Sequence, residues 1–424
     1  MQLRPPTSID LPIAQFRNSY GSRKRRGSAQ FFETETKGKH VRRILILCTG
    51  DIAKDARVDR QVRNLSADYE ICCIASGPPT IPIWKFIQLP QPYNRQQNRL
   101  VGRAIKLWTK GLLSTQCYER HYWGQSWVKA IDSLAREDRV DLVIANDLDA
   151  LPVGLRVGQG APVLFDAHEF YPEYPYFPPE TTMGKLWKSY MQHLLQKYCS
   201  QASTVMTVSE EIADLYRQNF DVSPTVLVNY PDRAELRPQP VLTERISLVH
   251  HGASQASRGI ELLIDTMELL DDRFVLNLIL MGDPQKGYLA RLHERCKENP
   301  KVIFHSPVPV QAIPSRINHY DLGVFLLPQT NLHYQTTLPN KFFDFVQGRL
   351  GIAIGPQTAM GRLVREHQLG VVAETCSAAS LAKSLNSLTR EDIEGFKRHS
   401  DQIANSWTNE KNKTALLELV QRLI

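Results

Sequence analysis

At 424 residues the chain is too long for one ordinary hydrophobic core, and two domains are the expectation. Hydrophobic residues at 42% and charged residues at 22% describe a soluble globular protein, and no apolar run reaches the roughly 18 residues of a membrane-spanning helix. The net charge of +7 is uneven: residues 1–40 hold eight Lys/Arg against three acids, so the remainder is nearly neutral and offers no clustered cations for nucleic acid.

Residues 1–40 are basic and without hydrophobic period, which predicts a disordered arm. They show no secretory signal, and the seven scattered cysteines lack a C-x-x-C pair. Together these features predict a reducing, cytoplasmic location and no metal site. Ile44–Cys48 is a continuous apolar run ending at Thr49-Gly50-Asp51, the pattern of a parallel strand buried on both faces. Val58, Val62 and Leu65 put a helical face on Asp55–Leu65, and Ile71–Ala75 reads as the next strand. From Asn94 to Ile131 the pattern is helical. Within it, 95–112 has an apolar face with Trp108 rimmed by Arg95, Arg99, Arg103, Lys106 and Lys110. Such a helix can lie on an anionic membrane at the inner face, or pack on the sheet with its cations outward. Val140–Ala145 runs into Asn146-Asp147-Leu148-Asp149, and Pro162–Phe165 runs into Asp166-Ala167-His168-Glu169. Polar residues at the carboxyl end of a parallel strand are where open α/β sheets bind ligands.

A helix at Leu186–Tyr198, a strand at Ser203–Val208 and a helix capped by Ser209 follow. Arg237-Pro238-Gln239-Pro240 breaks regular structure and marks a linker. Alternation then restarts: a strand at Ser247–His250, a polar loop from Gly252 to Gly259 containing Arg258, a helix at Ile260–Leu270, and a strand at Val275–Met281 ended by Gly282. Further strands are predicted at Val302–His305 and Leu322–Leu327. Leu338–Pro356 reads as a loop, a short helix and an inner strand. Asn340 stands beside Lys341, which with Asp344 falls on one side of that helix, as a ligand grip or as a surface ion pair. The pattern predicts α/β architecture with two Rossmann-like halves. The absence of G-x-G-x-x-G argues against a nicotinamide or flavin enzyme.

Eight segments in order, D-A-R-V-D-R-Q-V-R-N-L, N-D-L-D-A-L-P, F-D-A-H-E, T-V-S-E-E-I, V-N-Y-P-D, H-G-A-S-Q-A-S-R-G-I-E-L-L-I, L-M-G-D and L-P-N-K-F-F-D-F, give a specific likeness. From about Arg43 onward the chain resembles the GT-B glycosyltransferases of retaining family 4, in particular a P-N-K-x-F-[ED] subgroup similar to enzymes of surface-polysaccharide assembly. The resemblance implies an acceptor domain over 41–236, a nucleotide-sugar domain over 241–406, and a terminal helix over 407–424 crossing back to the first domain. It implies transfer from a UDP- or GDP-linked sugar to a glycan or lipid-linked acceptor, with no cofactor and no metal.

Residue by residue, the resemblance makes Arg258 and Lys341 cations for the departing diphosphate, with Gly252, Gly259, Gly282, Asn340 and Asp344 completing the nucleotide-sugar site. Asp344 stands where the family holds the ribose. It makes His168 the residue facing the transferred sugar, and Gly50, Asp51, Asp149 and Glu169 the acceptor side. Two positions depart from the family: Thr336 stands where a first glutamate is usual, and Ala253 where many members carry arginine. These keep open a second reading, a degenerate GT-B module serving as scaffold or partner for another transferase. A nucleotide-sugar epimerase is a third.

Overall fold

The computed structural model describes residues 41–89, 115–134, 139–241 and 245–424. The basic arm at 1–40 and the amphipathic stretch at 95–112 lie outside the described residues. The first sheet contains β1 (Arg43–Leu47), β2 (Glu70–Ala75), β3 (Lys85–Gln88), β4 (Leu142–Asn146), β5 (Val163–Ala167), β6 (Thr204–Thr207) and β7 (Thr225–Val226). All pair in parallel in the order β3-β2-β1-β4-β5-β6-β7. The second contains β8 (Ile246–Ala253), β9 (Phe274–Met281), β10 (Val302–His305), β11 (Leu322–Phe325), β12 (Gly351–Ile354) and β13 (Gly370–Val372), in the order β10-β9-β8-β11-β12-β13 and again parallel. In each sheet the order reverses beside the first strand, so β1/β4 and β8/β11 frame crevices at their carboxyl ends.

The continuous apolar runs are explained by burial on both faces. Along β1, Leu45 and Leu47 join a core with Phe165, Tyr122 and Leu194, while Ile44 and Ile46 join the opposite core with Val62 and Met206. The helix Asn409–Leu423 closes that second core with Leu416, Leu419 and Val420, so the last segment of the chain packs on the first sheet. The second sheet divides likewise, with Leu248, Leu276 and Val324 on one face and Val249, Phe325 and Ile352 on the other.

The structure departs from the sequence reading in three places. The continuous helix expected to Ile131 is broken in its described part, into Thr115–Gly124 and Ser126–Leu134, where Gly124 favours a break. Asp149 lies in the first turn of a helix, Asp147–Val157, that begins at the end of β4. The helix Asn340–Gln347 is not a surface element: every residue from Lys341 to Gln347 is buried, so the surface ion pair between Lys341 and Asp344 is excluded.

Candidate functional site

A cavity of about 280 Å³ is walled by both halves of the chain. The first half contributes Arg57, His168 and Glu169, the second half contributes Arg258, His333 and Asn340, and Asn229 enters from the segment between them. Its position follows from topology: His168 and Glu169 directly follow β5, and Arg258 lies in the loop between β8 and the helix Ile260–Leu269.

On the first side Asp166 organises the charges. Its carboxylate is fully buried at the end of β5. It accepts from Arg57 Nε at 3.1 Å, from Arg57 Nη2, and from Gln61 Nε2 at 3.2 Å. Burial opposes its ionisation, but Arg57 and then His168 outweigh it and hold the carboxyl below its ordinary value. His168 is placed between two acids, with Nδ1 3.3 Å from Asp147 Oδ1 and Nε2 3.3 Å from Asp166 Oδ2. The Nε2 contact lacks hydrogen-bond geometry, which leaves that buried atom without a partner. Burial and then Arg57 disfavour the imidazolium, yet Asp147 and Asp166 prevail and raise its pKa. Asp147 adopts φ 67°, an uncommon conformation for a non-glycine residue, and its Oδ1 also accepts from Tyr171 Oη at 2.9 Å.

On the second side the loop after β8 is shaped by glycines. Gly252 has φ 122°, and a Cβ there would stand 3.5 Å from Lys341 Nζ. Gly259 has φ 60°, and its Cβ would meet Pro328 Cγ at 2.6 Å. Arg258 therefore directly precedes a left-handed glycine packed against the Pro328 ring, next to a helix N-terminus. No carboxylate among the described residues forms an ion pair with it. An uncommitted guanidinium beside backbone N–H groups can receive an anion.

Behind this wall Lys341 and Asp344 each face one histidine of β8. Lys341 Nζ lies 3.0 Å from His250 Nε2 and 4.4 Å from the Phe325 ring centroid. His250 Nδ1 donates to Val324 O at 2.9 Å, which leaves Nε2 to accept from the lysine. Burial, then Arg258, hold Lys341 well below the ordinary lysine value. Asp344 Oδ2 stands 3.6 Å from His251 Nε2. Burial pushes Asp344 up to about 7 against the pull of Arg60 and Lys341, and burial with Lys341 pushes His251 down to about 3.

Among the anticipated residues, His168, Glu169, Arg258 and Asn340 line the cavity. Lys341 and Asp344 lie behind it, next to Gly252. Gly282, with φ 151°, ends β9 against Ser254. Asp51 forms a parallel bridge with Gly77 and pairs with Lys54 at 2.9 Å, Gly50 precedes it in that turn, and Asp149 presents its carbonyl to Tyr122 Oη at 2.6 Å. Thr336 spends its hydroxyl on Leu332 O at 3.0 Å within its own short helix. Sequence reading missed Arg57, Asn229 and His333. Arg57 and Asn229 stand inside D-A-R-V-D-R-Q and V-N-Y-P-D, so the sequence carries their signal. His333 lies in a five-residue helix with no periodic pattern. Its Nδ1 reaches Glu169 Oε2 at 3.2 Å across the cavity, and Asn229 Nδ2 donates to Asn340 Oδ1 at 2.6 Å.

Residues 95–231 match the sequence family Glycosyltransferase Family 4. No curated protein sequence matches the chain. Among solved structures, HepE of Anabaena in complex with UDP superposes with a TM-score of 0.64 at 14% identity, covering 90% of this chain and 100% of that one. Sucrose-phosphate synthase from Thermosynechococcus elongatus gives 0.65 at 11% identity, over 90% and 99%. WaaG, a glycosyltransferase involved in lipopolysaccharide biosynthesis, gives 0.58 at 11%, over 88% and 99%. With two parallel α/β sheets facing a shared cavity, the chain has the GT-B fold, and its first domain carries a segment matching Glycosyltransferase Family 4.

Proposed function

We propose that the chain is a retaining glycosyltransferase that moves a sugar from a UDP- or GDP-linked donor to a glycan or lipid-linked acceptor in surface-polysaccharide or glycoconjugate assembly, working in the cytoplasm or at the inner membrane face. The observation that carries this reading is Arg258, a cation without an ion-pair partner among the described residues, in the wall of a cavity that both sheets build. The HepE structures bind UDP and UDP-glucose in the same fold, which supports a nucleoside-diphosphate sugar as the donor class.

In this reading the diphosphate lies against Arg258 and the N-terminus of the helix Ile260–Leu269, where positive charge meets the charge developing as the C1–O bond breaks. The bonding pair leaves with the diphosphate, the acceptor oxygen attacks the same face of C1, and the acceptor proton passes to the departing phosphate oxygen. No cofactor or metal is assigned a step. His168, held by Asp147 and Asp166, positions the transferred sugar, and Asn340 and Asn229 bridge the two halves over the donor. Lys341 and Asp344 support the Gly252 turn from behind, and an anion arriving there would favour the charged form of Lys341.

Calorimetry with UDP and GDP tests the proposal. Binding of one of them in the micromolar range is expected, weakened at least tenfold in Arg258→Ala, with loss of sugar transfer. No binding of either by the wild-type chain at millimolar concentration would overturn it and favour the scaffold reading, which the occupied Thr336 hydroxyl and the buried Lys341 keep open.

A further inference from the structure

A second cavity of about 220 Å³ opens beside the first and shares Tyr174 with it. Its walls are the segment from Pro172 to Lys188 and, from the other half of the chain, Asn331. This is far more space than the roughly 30 Å³ of one liquid water. Tyr174, Phe177 and Trp187 line it. Phe177 and Tyr176 pack on Trp187 with centroid distances of 5.6 and 5.3 Å, and Tyr174 contacts the ring of His333 at 4.8 Å, at the border with the first cavity. Trp187 carries a buried indole Nε1 with no hydrogen-bond partner. The Glu173–Lys188 ion pair at the rim adds polar groups to a mostly apolar wall.

We infer that this cavity is a saccharide subsite, holding the sugar ring of a glycan acceptor that precedes the ring being glycosylated. Aromatic walls suit the C–H face of a pyranose, and a few placed polar groups fix its hydroxyls. The polar groups in the wall decide between occupants: Glu173, Lys188 and the Asn331 amide can hydrogen-bond sugar hydroxyls, whereas a lipid hydrocarbon would give them no partner. Tyr174 lines both cavities, so one glycan can place its terminal ring by His168 and the next ring by Trp187. The inference rests on the transferase reading, and it makes the acceptor at least a disaccharide recognised over two rings.

The test uses saturation-transfer NMR on the full chain, with UDP present. The probes are cellobiose, maltose and N,N′-diacetylchitobiose, their monosaccharides, and geranyl phosphate as a lipid-carrier fragment. At least one disaccharide should give saturation several times that of its monosaccharide. Trp187→Leu, which removes the aromatic face from the wall, should reduce it at least threefold while leaving UDP affinity unchanged. Phe177→Leu, on the same aromatic wall, should do the same if Trp187→Leu does not fold. Disaccharide signals no stronger than the monosaccharides, signals that survive both variants, or saturation of geranyl phosphate alone would each overturn the inference. UDP binding without disaccharide binding sinks only the subsite, whereas loss of UDP binding sinks the transferase reading.

Discussion

Asp344 shows how a buried group converts position into pH dependence. Its carboxyl keeps its proton in the folded chain up to about pH 7, whereas in the unfolded chain it ionises at the ordinary aspartate value near 3.8. Between those values the folded state binds more protons, so the contribution of this group to stability falls as pH rises. His251 has the opposite effect, because its folded value of about 3 lies below the ordinary histidine value, so its contribution rises with pH up to about 6.5. A wild-type profile would mix the two. Asp344→Asn isolates one: the amide keeps the shape and cannot ionise. The stability of Asp344→Asn relative to wild type should therefore increase from pH 4.5 to pH 7.5, read as a rising difference in urea midpoints at constant slope. A difference that is flat or falls with pH would show that Asp344 is ionised in the fold. His168 follows the other sign pattern for a histidine. Its raised pKa means that Asp147 and Asp166 stabilise the fold fully below about pH 6.5, and that this support is lost as pH rises through the folded value.

Among the elements, the helix Asn409–Leu423 joins the last residues of the chain to the first sheet. Leu416 is 2% exposed and packs in one core with Ile44, Ile46, Val62 and Ile144. Asn409 adds polar contacts to Asn64 and Asp232 at 2.9 Å each. Leu416→Ala should cost about 2–5 kcal/mol, the range for truncating a buried leucine, measured by equilibrium denaturation. A loss below about 0.5 kcal/mol would mean that the helix only rests on the surface. The helix period of Leu416, Leu419 and Leu423 was legible in the sequence, as were most inner strands, because burial on both faces leaves uninterrupted apolar runs. β3 was not legible: Lys-Phe-Ile-Gln is short, half exposed and at the sheet edge, where little apolar patterning is required. The helix Asp147–Val157 was hidden by its internal Pro152. At the site, His168, Glu169, Arg258 and Asn340 could be reached because each follows a strand or opens a helix. The burial of Lys341 and Asp344 could not, since charge on a short helix reads as solvent-facing until the histidines of β8 are placed against it.

At the scale of the whole molecule the two sheets communicate through a mixed interface. Arg362 pairs with Glu211 at 3.0 Å, His333 with Glu169 at 3.2 Å, and Gln347 accepts from the backbone of Ala234 at 3.0 Å. These contacts are polar, and polar interfaces between domains permit relative motion. Tyr230 makes one apolar connection by packing on Phe343 and Trp407, and the terminal helix makes another: it follows the second domain in sequence and completes a core of the first. Its detachment would expose Leu416, Leu419 and Val420 together, so unfolding of either half should destabilise the other. With UDP at a hundred times its Kd, binding to the native state adds about 2.7 kcal/mol. If both halves unfold together, that increment is spread over the entropy of some 380 residues and the single transition should rise by roughly 3–5 °C. If they unfold independently, the transition of the Arg258 half alone should move, by about twice as much, and the other should stay in place. Differential scanning calorimetry distinguishes the cases. One peak that shifts as a whole is the expected result, and two peaks of which only one responds would show that the helix does not couple the domains.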